Sequence, residues 1–280
     1  MAAKKKNKKL RLALKIFFTV FLTAAIIIAG VAVGVLFGMI DTTDSVSLDA
    51  LKLDFTSVIY YEDENGNPVE YETLYSDENR VWVDYAEIPA CVKNAAVAIE
   101  DERFYSHIGF DVKSTAYATF NYIFKKSSDR GASTITQQLA RNFFLSPEKT
   151  LMRKIKEAFL AIRIEQLLSK DEILELYLNK IYLGYRAYGV GAAAQVYFGK
   201  PAEQLTLSEM AVIAGLPKAP STFNPLYSLE RATARRNVVL SRMLSEGYLT
   251  QAQYDEARGE AIDANYHAPE IAFSAPYLTE

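Results

Sequence analysis

A mainly α-helical domain, preceded by one transmembrane helix and a small β-rich stalk, is the fold class this 280-residue sequence predicts. Three observations carry it. Residues 16–40 form an uncharged apolar run. An acidic stretch with alternating apolar and polar residues around an Asn-Gly turn follows. From Pro89 onward, apolar positions recur at helical spacing between recognisable helix starts and stops.

The chain opens on a basic tail, residues 1–15, where Lys4, Lys5, Lys6, Lys8, Lys9, Arg11 and Lys15 meet no acid. The run Ile16–Ile40 then carries no charge. About 20 apolar residues cross a hydrocarbon core, so it spans with room to tilt. Lysines on one flank, with Asp41 and Asp44 on the other, place the N-terminus in the cytoplasm and the rest outside. The competing reading is a cleaved signal peptide, whose apolar region is usually shorter and ends in small residues. This run ends LFGMIDTTD, with no A-x-A site, which favours a retained anchor. Gly30, Gly34 and Gly38 have the small-xxx-small spacing of a helix-packing face, although glycine is common in such helices.

Residues 41–88 form a juxtamembrane acidic, β-rich segment. In SVIYYEDENGNPVEYETLY, Asn65-Gly66 separates two alternating runs, a hairpin signal. RVWVDY reads as a third strand. Helices dominate residues 89–250. In PACVKNAAVAIEDERF, Val92, Ala95, Ala96 and Ile99 fall at i, i+3, i+4 and i+7 behind a proline. Ser169-x-x-Glu172 and Thr206-x-x-Glu209 are capping boxes, and Gly215 and Gly247 stand where C-caps belong. Thr250-x-x-Gln253 opens a short helix in the last segment, residues 251–280, which then becomes linker-like.

Composition excludes several function classes. With the seven tail cations set aside, 24 basic residues face 34 acidic ones, which argues against nucleic acid as a partner. One cysteine, Cys91, rules out an internal disulfide. Two histidines, His107 and His267, without paired cysteines, leave no structural zinc or three-histidine site.

Three stretches carry chemistry. AIEDERFYSHIGFD, residues 98–111, runs an apolar helix face into Glu100, Asp101 and Glu102, then aromatics and His107. A carboxylate at an apolar helix end suits a general base, because dipole and burial both disfavour its charge. An ordinary solvated acidic turn would look the same. GASTITQQLARNFFLS, residues 131–146, places hydroxyls, two glutamines and an arginine at a helix start, where backbone N–H groups welcome an anion. A simple N-capped amphipathic helix equally explains Ser133 or Thr134. The third stretch, residues 148–184, contributes to a cationic patch: between Lys125 and Arg163 nine basic residues meet three acids. Such a patch concentrates an anionic substrate. Glu157 stands four residues after Arg153, a spacing that otherwise marks a plain surface ion pair. Residues 110–126 add an aromatic stripe, including Tyr117, Phe120, Tyr122 and Phe124, which is either core or a helix in a lipid interface.

AIEDERFYSHIGFD, GASTITQQLARN, RKIKEAFLAIRIEQ and KDEILELYLNKIYLG, in this order and spacing, resemble the motifs of the family 51 peptidoglycan glycosyltransferases. That domain occurs in class A penicillin-binding proteins and in monofunctional transglycosylases. The resemblance covers residues 90 to about 245, and RRNVVLSRML, residues 235–244, is similar to the last and weakest motif. It implies a lysozyme-like, two-lobed transglycosylase domain with lipid II as substrate. By motif position, Glu100 would be the base that deprotonates the acceptor's 4-hydroxyl, and Glu157 the second catalytic glutamate. Thr134, Gln138, Arg141, Lys149, Arg153 and Lys154 would bind the donor and its pyrophosphate. The implied substrate-binding set also includes Asp101, Phe104, His107, Ser133, Gln137 and Asn142. Arg141 stands where lysine is frequent and Lys149 where some members have arginine, which keeps charge but not bidentate geometry.

The expected reaction is inverting transfer: polymerisation of lipid II into β-1,4 glycan with release of lipid pyrophosphate. No metal ligand set is expected, and no cofactor beyond a divalent cation, magnesium or manganese, that could accompany the pyrophosphate. The expected partners are lipid II and the growing lipid-linked glycan, the membrane and other cell-wall synthesis proteins. Three rivals remain. One is a lytic enzyme cutting glycan on the same scaffold, which would need a second carboxylate at its leaving oxygen. Another is a serine acyl-transferase, since Ser146-Pro147-Glu148-Lys149 spells S-x-x-K, although no S-x-N or K-T-G follows. The last is a non-catalytic wall-synthesis scaffold. FSAPYLTE, residues 273–280, resembles the approach to the transpeptidase half of class A proteins, so the chain reads either as the front of a bifunctional enzyme or as a short form.

Overall fold

The structure, a computed structural model, describes residues 15–24, 26, 27, 30, 34, 57–62, 68–74, 79–125, 133–145 and 150–268. The chain divides into two compact units, Met1–Ser47 and Leu48–Glu280. In the first, residues 15–24 are helical. The Thr19 and Thr23 hydroxyls donate to carbonyls one turn back at 2.9 and 3.0 Å, which satisfies them within an apolar helix. Among the described residues no helix is long and apolar enough to cross a membrane. Most of residues 28–40, Gly38 included, lies outside them.

The second unit begins with an antiparallel hairpin of β1 (Ser57–Glu62) and β2 (Pro68–Leu74), as the alternation predicts. The expected third strand is a correction. Only β3 (Asn79–Arg80) is strand, and it pairs in parallel with β4 (Ala187–Tyr188), not with the hairpin. Beyond it, the Asn179 side chain takes the place of a neighbouring strand. Its Oδ1 accepts from Val83 N–H, and its Nδ2 donates to Val83 C=O, both at 2.9 Å. One amide thus satisfies the backbone groups that a ladder would otherwise have to pair.

The rest is helical. α1 (Ala90–Glu100) turns Val92, Ala95, Ala96, Val97 and Ala98 inward. α2 (Val112–Lys125) follows, with Val112 and Tyr117 exposed; the side chains of Phe120, Tyr122 and Phe124 lie outside the description. α3 (Ile135–Phe144), α4 (Leu151–Leu167) and α5 (Lys170–Lys180) pack on one another. α6 (Val190–Phe198) is apolar on nearly every side and buried. α7 (Leu207–Gly215), the short α8 (Pro220–Phe223), α9 (Leu229–Ser245) and α10 (Gln251–Gly259) complete the unit. Ala95 and Ala98 of α1, Ala211 and Ala214 of α7, and Val239, Leu240 and Met243 of α9 form one core, closed by Leu249 and Ala257. The alanines let three helix backbones approach closely, so the end of α1 is held rigidly.

The capping boxes at Ser169, Thr206 and Thr250 form as the spacing predicts. Gly247, at φ +77°, ends α9 in a Schellman motif: Tyr248 N–H reaches Met243 C=O and Gly247 N–H reaches Leu244 C=O. Gly215 is not such a cap. Its φ is −79°, and a Cβ there would lie 2.9 Å from the Arg235 side chain, so glycine leaves room for that arginine to cross.

Candidate active site

Glu100 is the last residue of α1, and its carboxylate lines a cavity of about 680 Å³. Gln138, one turn into α3, donates from Nε2 to Glu100 Oε2 at 2.9 Å. From α9, an Arg235 guanidinium nitrogen stands 3.9 Å from Glu100 Oε1. Arg235 is itself fixed: its Nε donates to Gly215 C=O at 3.1 Å, and its stem crosses the glycine described above. Burial lowers the Arg235 pKa, and the charge of Glu100 works against that shift. Three helices therefore converge on a carboxylate that keeps one face toward an open cavity.

Asp101, the next residue, does different work. Its Oδ2 accepts from His107 Nε2 at 2.8 Å and from the first backbone N–H of α3, on Ile135, at 3.0 Å. Gly109 N–H donates to His107 Nδ1 at 3.0 Å, which makes that nitrogen the acceptor and assigns the proton to Nε2. The anion at the α3 N-terminus is thus Asp101 itself. Thr134 uses its hydroxyl twice, accepting from Gln137 N–H at 3.0 Å and donating to Gly109 C=O at 2.6 Å. Gln137 answers by accepting from Thr134 N–H, which completes a capping box. The expectation that this helix start offers free N–H groups to an anion therefore needs correction. Ile135 N–H goes to Asp101, which joins α1 to α3, and Gln137 N–H goes to the Thr134 hydroxyl.

Phe104 is also placed differently from a substrate contact. It has no exposed surface and packs edge-on against Tyr105 and His107, with the Lys170 ammonium 4.5 Å from its ring centre. Phe104 and His107 support the turn after α1; the cavity wall does not include them.

The second glutamate sits in the second turn of α4. Glu157 is 1% exposed. Lys154 Nζ donates to its Oε2 at 2.7 Å and to Ser133 Oγ at 2.6 Å, while Arg153 Nε lies 3.4 Å from Oε1. Ser133, Thr134, Glu157, Arg153 and Lys154 are thereby brought together. Arg141 and Asn142 lie toward the far end of α3, and Asn142 is exposed. Lys149 and the S-x-x-K stretch fall outside the described residues.

Sequence reasoning left some neighbours unnamed. Arg235 occupies the first position of the weakest motif, where an arginine doublet on an amphipathic helix was the available signal. Its twin, Arg236, instead ties α10 to α7 through Ser208 Oγ and the carbonyls of Arg258 and Glu260. Arg103 and Asp111 line the cavity as a pair at 2.6 Å. Burial alone would raise the Asp111 pKa, but bonds from the Ser114 hydroxyl and N–H, with the Arg103 guanidinium, hold it below the usual value. Among the described residues, no group of three His, Cys, Asp or Glu side chains is placed to hold a metal ion.

A family model described as Transglycosylase matches residues 65–244. Penicillin-binding protein 1A of Escherichia coli (strain K12) is 65% identical over 237 residues, which are 85% of this chain and 27% of that protein. Its counterpart in Vibrio cholerae is 61% identical over 206 residues, 74% of this chain and 25% of that protein. A crystal structure of penicillin-binding protein 1A from Haemophilus influenzae matches at 36% identity and a TM-score of 0.43, over 81% of this chain and 23% of that one. This chain thus spans about a quarter of the length of the curated relatives it matches. With the family model covering well over half of its residues, the chain belongs to the transglycosylase family.

Proposed function

We propose that this chain polymerises lipid II into β-1,4 glycan strands, with inversion at the donor sugar and release of lipid pyrophosphate. The observation that carries the proposal is Glu100. It is a carboxylate at the end of a rigid helix, oriented by Gln138, flanked by Arg235 and open to a cavity of about 680 Å³. In this reading Glu100 accepts the proton of the acceptor's 4-hydroxyl as that oxygen attacks the donor's anomeric carbon. The bond from that carbon to the pyrophosphate breaks on the opposite face. The leaving pyrophosphate needs cations and no general acid, which suits Arg141, Lys149, Arg153 and Lys154. Glu157, buried and ion-paired, then acts by holding Arg153 and Lys154 in place. A divalent cation, magnesium or manganese, would enter with the pyrophosphate.

The same reading makes the helical unit a two-lobed, lysozyme-like domain and residues 16–40 a single anchor. The basic tail supports a cytoplasmic N-terminus and a catalytic domain on the outer face of the cell membrane, where the lipid-linked glycan and other wall-synthesis proteins would be its partners.

Purified chain incubated with lipid II tests the proposal. Glycan strands should lengthen with time. Shortening of added strands without lengthening would indicate a lytic enzyme, and no change in either direction a scaffold.

A further inference from the structure

The amide that orients Glu100 is itself oriented from behind. A glutamine amide can present either end to a neighbour, but an ionised carboxylate only accepts hydrogen bonds. Gln138 must therefore turn Nε2 toward Glu100, which sends Oε1 into the protein, where a donor has to meet it. Tyr177, on α5, is the donor that the structure supplies. Its hydroxyl lies 3.4 Å from Gln138 Oε1, a long hydrogen bond between two buried groups.

We propose that Tyr177 is a positioning residue for the base, its hydroxyl fixing the Gln138 amide with Nε2 toward Glu100. This rests on the reading of Glu100 as the base.

Three observations support it. Tyr177 is fully enclosed, and behind Glu100 it lines, with Val92, Ala96, Leu178 and Ile213, a void of about 10 Å³. A space of that size is at or below what one water needs, so solvent is a poor substitute for the hydroxyl. Burial, and next the nearby charge of Glu100, push the phenol pKa well above its usual value, so the group stays a donor throughout the working range. Finally, a phenylalanine would fill the same apolar volume without burying a polar atom, so packing alone gives no reason for the hydroxyl.

The test is Tyr177→Phe made in two backgrounds, native and Gln138→Leu, with lipid II polymerisation and thermal denaturation measured on the full chain. In the native background kcat should fall about tenfold while KM stays within about twofold, because orientation is lost and binding is not. In the Gln138→Leu background the same change should alter kcat by less than about twofold, since the residue acts only through that amide. An equal fall in both backgrounds assigns Tyr177 to folding alone and overturns the proposal. So does an unchanged kcat in the native background. Glu100→Gln is run alongside: full activity there removes the reading of the base itself, whereas loss there without coupling between Tyr177 and Gln138 removes only this proposal.

Discussion

The two glutamates that stand out in the sequence occupy opposite kinds of environment. The side chain of Glu100 is 14% exposed; one amide donates to it, a guanidinium stands at 3.9 Å, and a cavity lies in front. That of Glu157 is 1% exposed and pinned by Lys154 at 2.7 Å, with Arg153 at 3.4 Å. A carboxylate that must take a proton has to keep an oxygen accessible. One that organises cations does so best when it is enclosed and ion-paired. In the proposed mechanism the contrast divides the labour: chemistry at the end of α1, charge management in the second turn of α4. Asp101, Thr134 and Gly109 join the two.

The largest effect expected away from Glu100 concerns the cations. Arg153→Gln with Lys154→Gln leaves donors for Glu157 but removes both charges. Charge-assisted contacts are worth roughly 1.5–3 kcal/mol each, so losing two should drop kcat/KM for polymerisation about 10²–10⁴-fold. Initial rates across lipid II concentrations would show it, and a value within twofold of native would erase the division. Next is the joint between the regions. Gly109 has φ +91°, and a Cβ there would lie 2.6 Å from Ala161 O. Gly109→Ala should cost about 2–4 kcal/mol, read as a lower denaturation midpoint, because strain and overpacking combine. Unchanged stability would show that the two regions are not coupled through that contact.

Smaller effects sharpen the Glu100 side. Arg235→Lys keeps the charge but loses the Nε bond to Gly215 C=O, so polymerisation should slow about fivefold with little change in stability. The smallest is a pH effect at Asp111, whose carboxyl titrates below its usual value of about 3.8. The stability it contributes is complete above that value and is lost as pH falls through its lower, folded value. Asp111→Asn should therefore be less stable than native at neutral pH, and the gap in denaturation midpoint should narrow below about pH 4. A gap that stays constant with pH would show that the Asp111 charge contributes nothing.

Much of this was legible in the sequence because it is local. The capping boxes at Ser169, Thr206 and Thr250, the pairing of β1 with β2 and the inward face of α1 each depend on nearby residues. What escaped depends on partners far along the chain. RVWVDY looks like a strand, but its backbone is satisfied by Asn179, 96 positions away from Val83. Gly215 looks like a cap, and its reason is Arg235. The N-terminus of α3 looks like an anion site, and the anion proves to be Asp101. At the site, the apolar helix pointed to the acidic group Glu100, Asp101 and Glu102, and only the family resemblance singled out Glu100. Tyr177 and Arg235 were not legible, because their role arises only when α5 and α9 fold against α1.

The central claim, that Glu100 does chemistry and Glu157 holds cations, is tested most directly by comparing Glu100→Gln with Glu157→Gln. Both replacements keep volume and remove one charge. Lipid II polymerisation and lipid II binding would be measured on each folded variant. Loss of a general base costs roughly 10²–10⁴-fold, so Glu100→Gln should almost abolish polymer while binding lipid II as the native chain does. Glu157→Gln should weaken binding. Near-native polymerisation by Glu100→Gln would contradict the account and move the search for the base to its neighbour, Asp101.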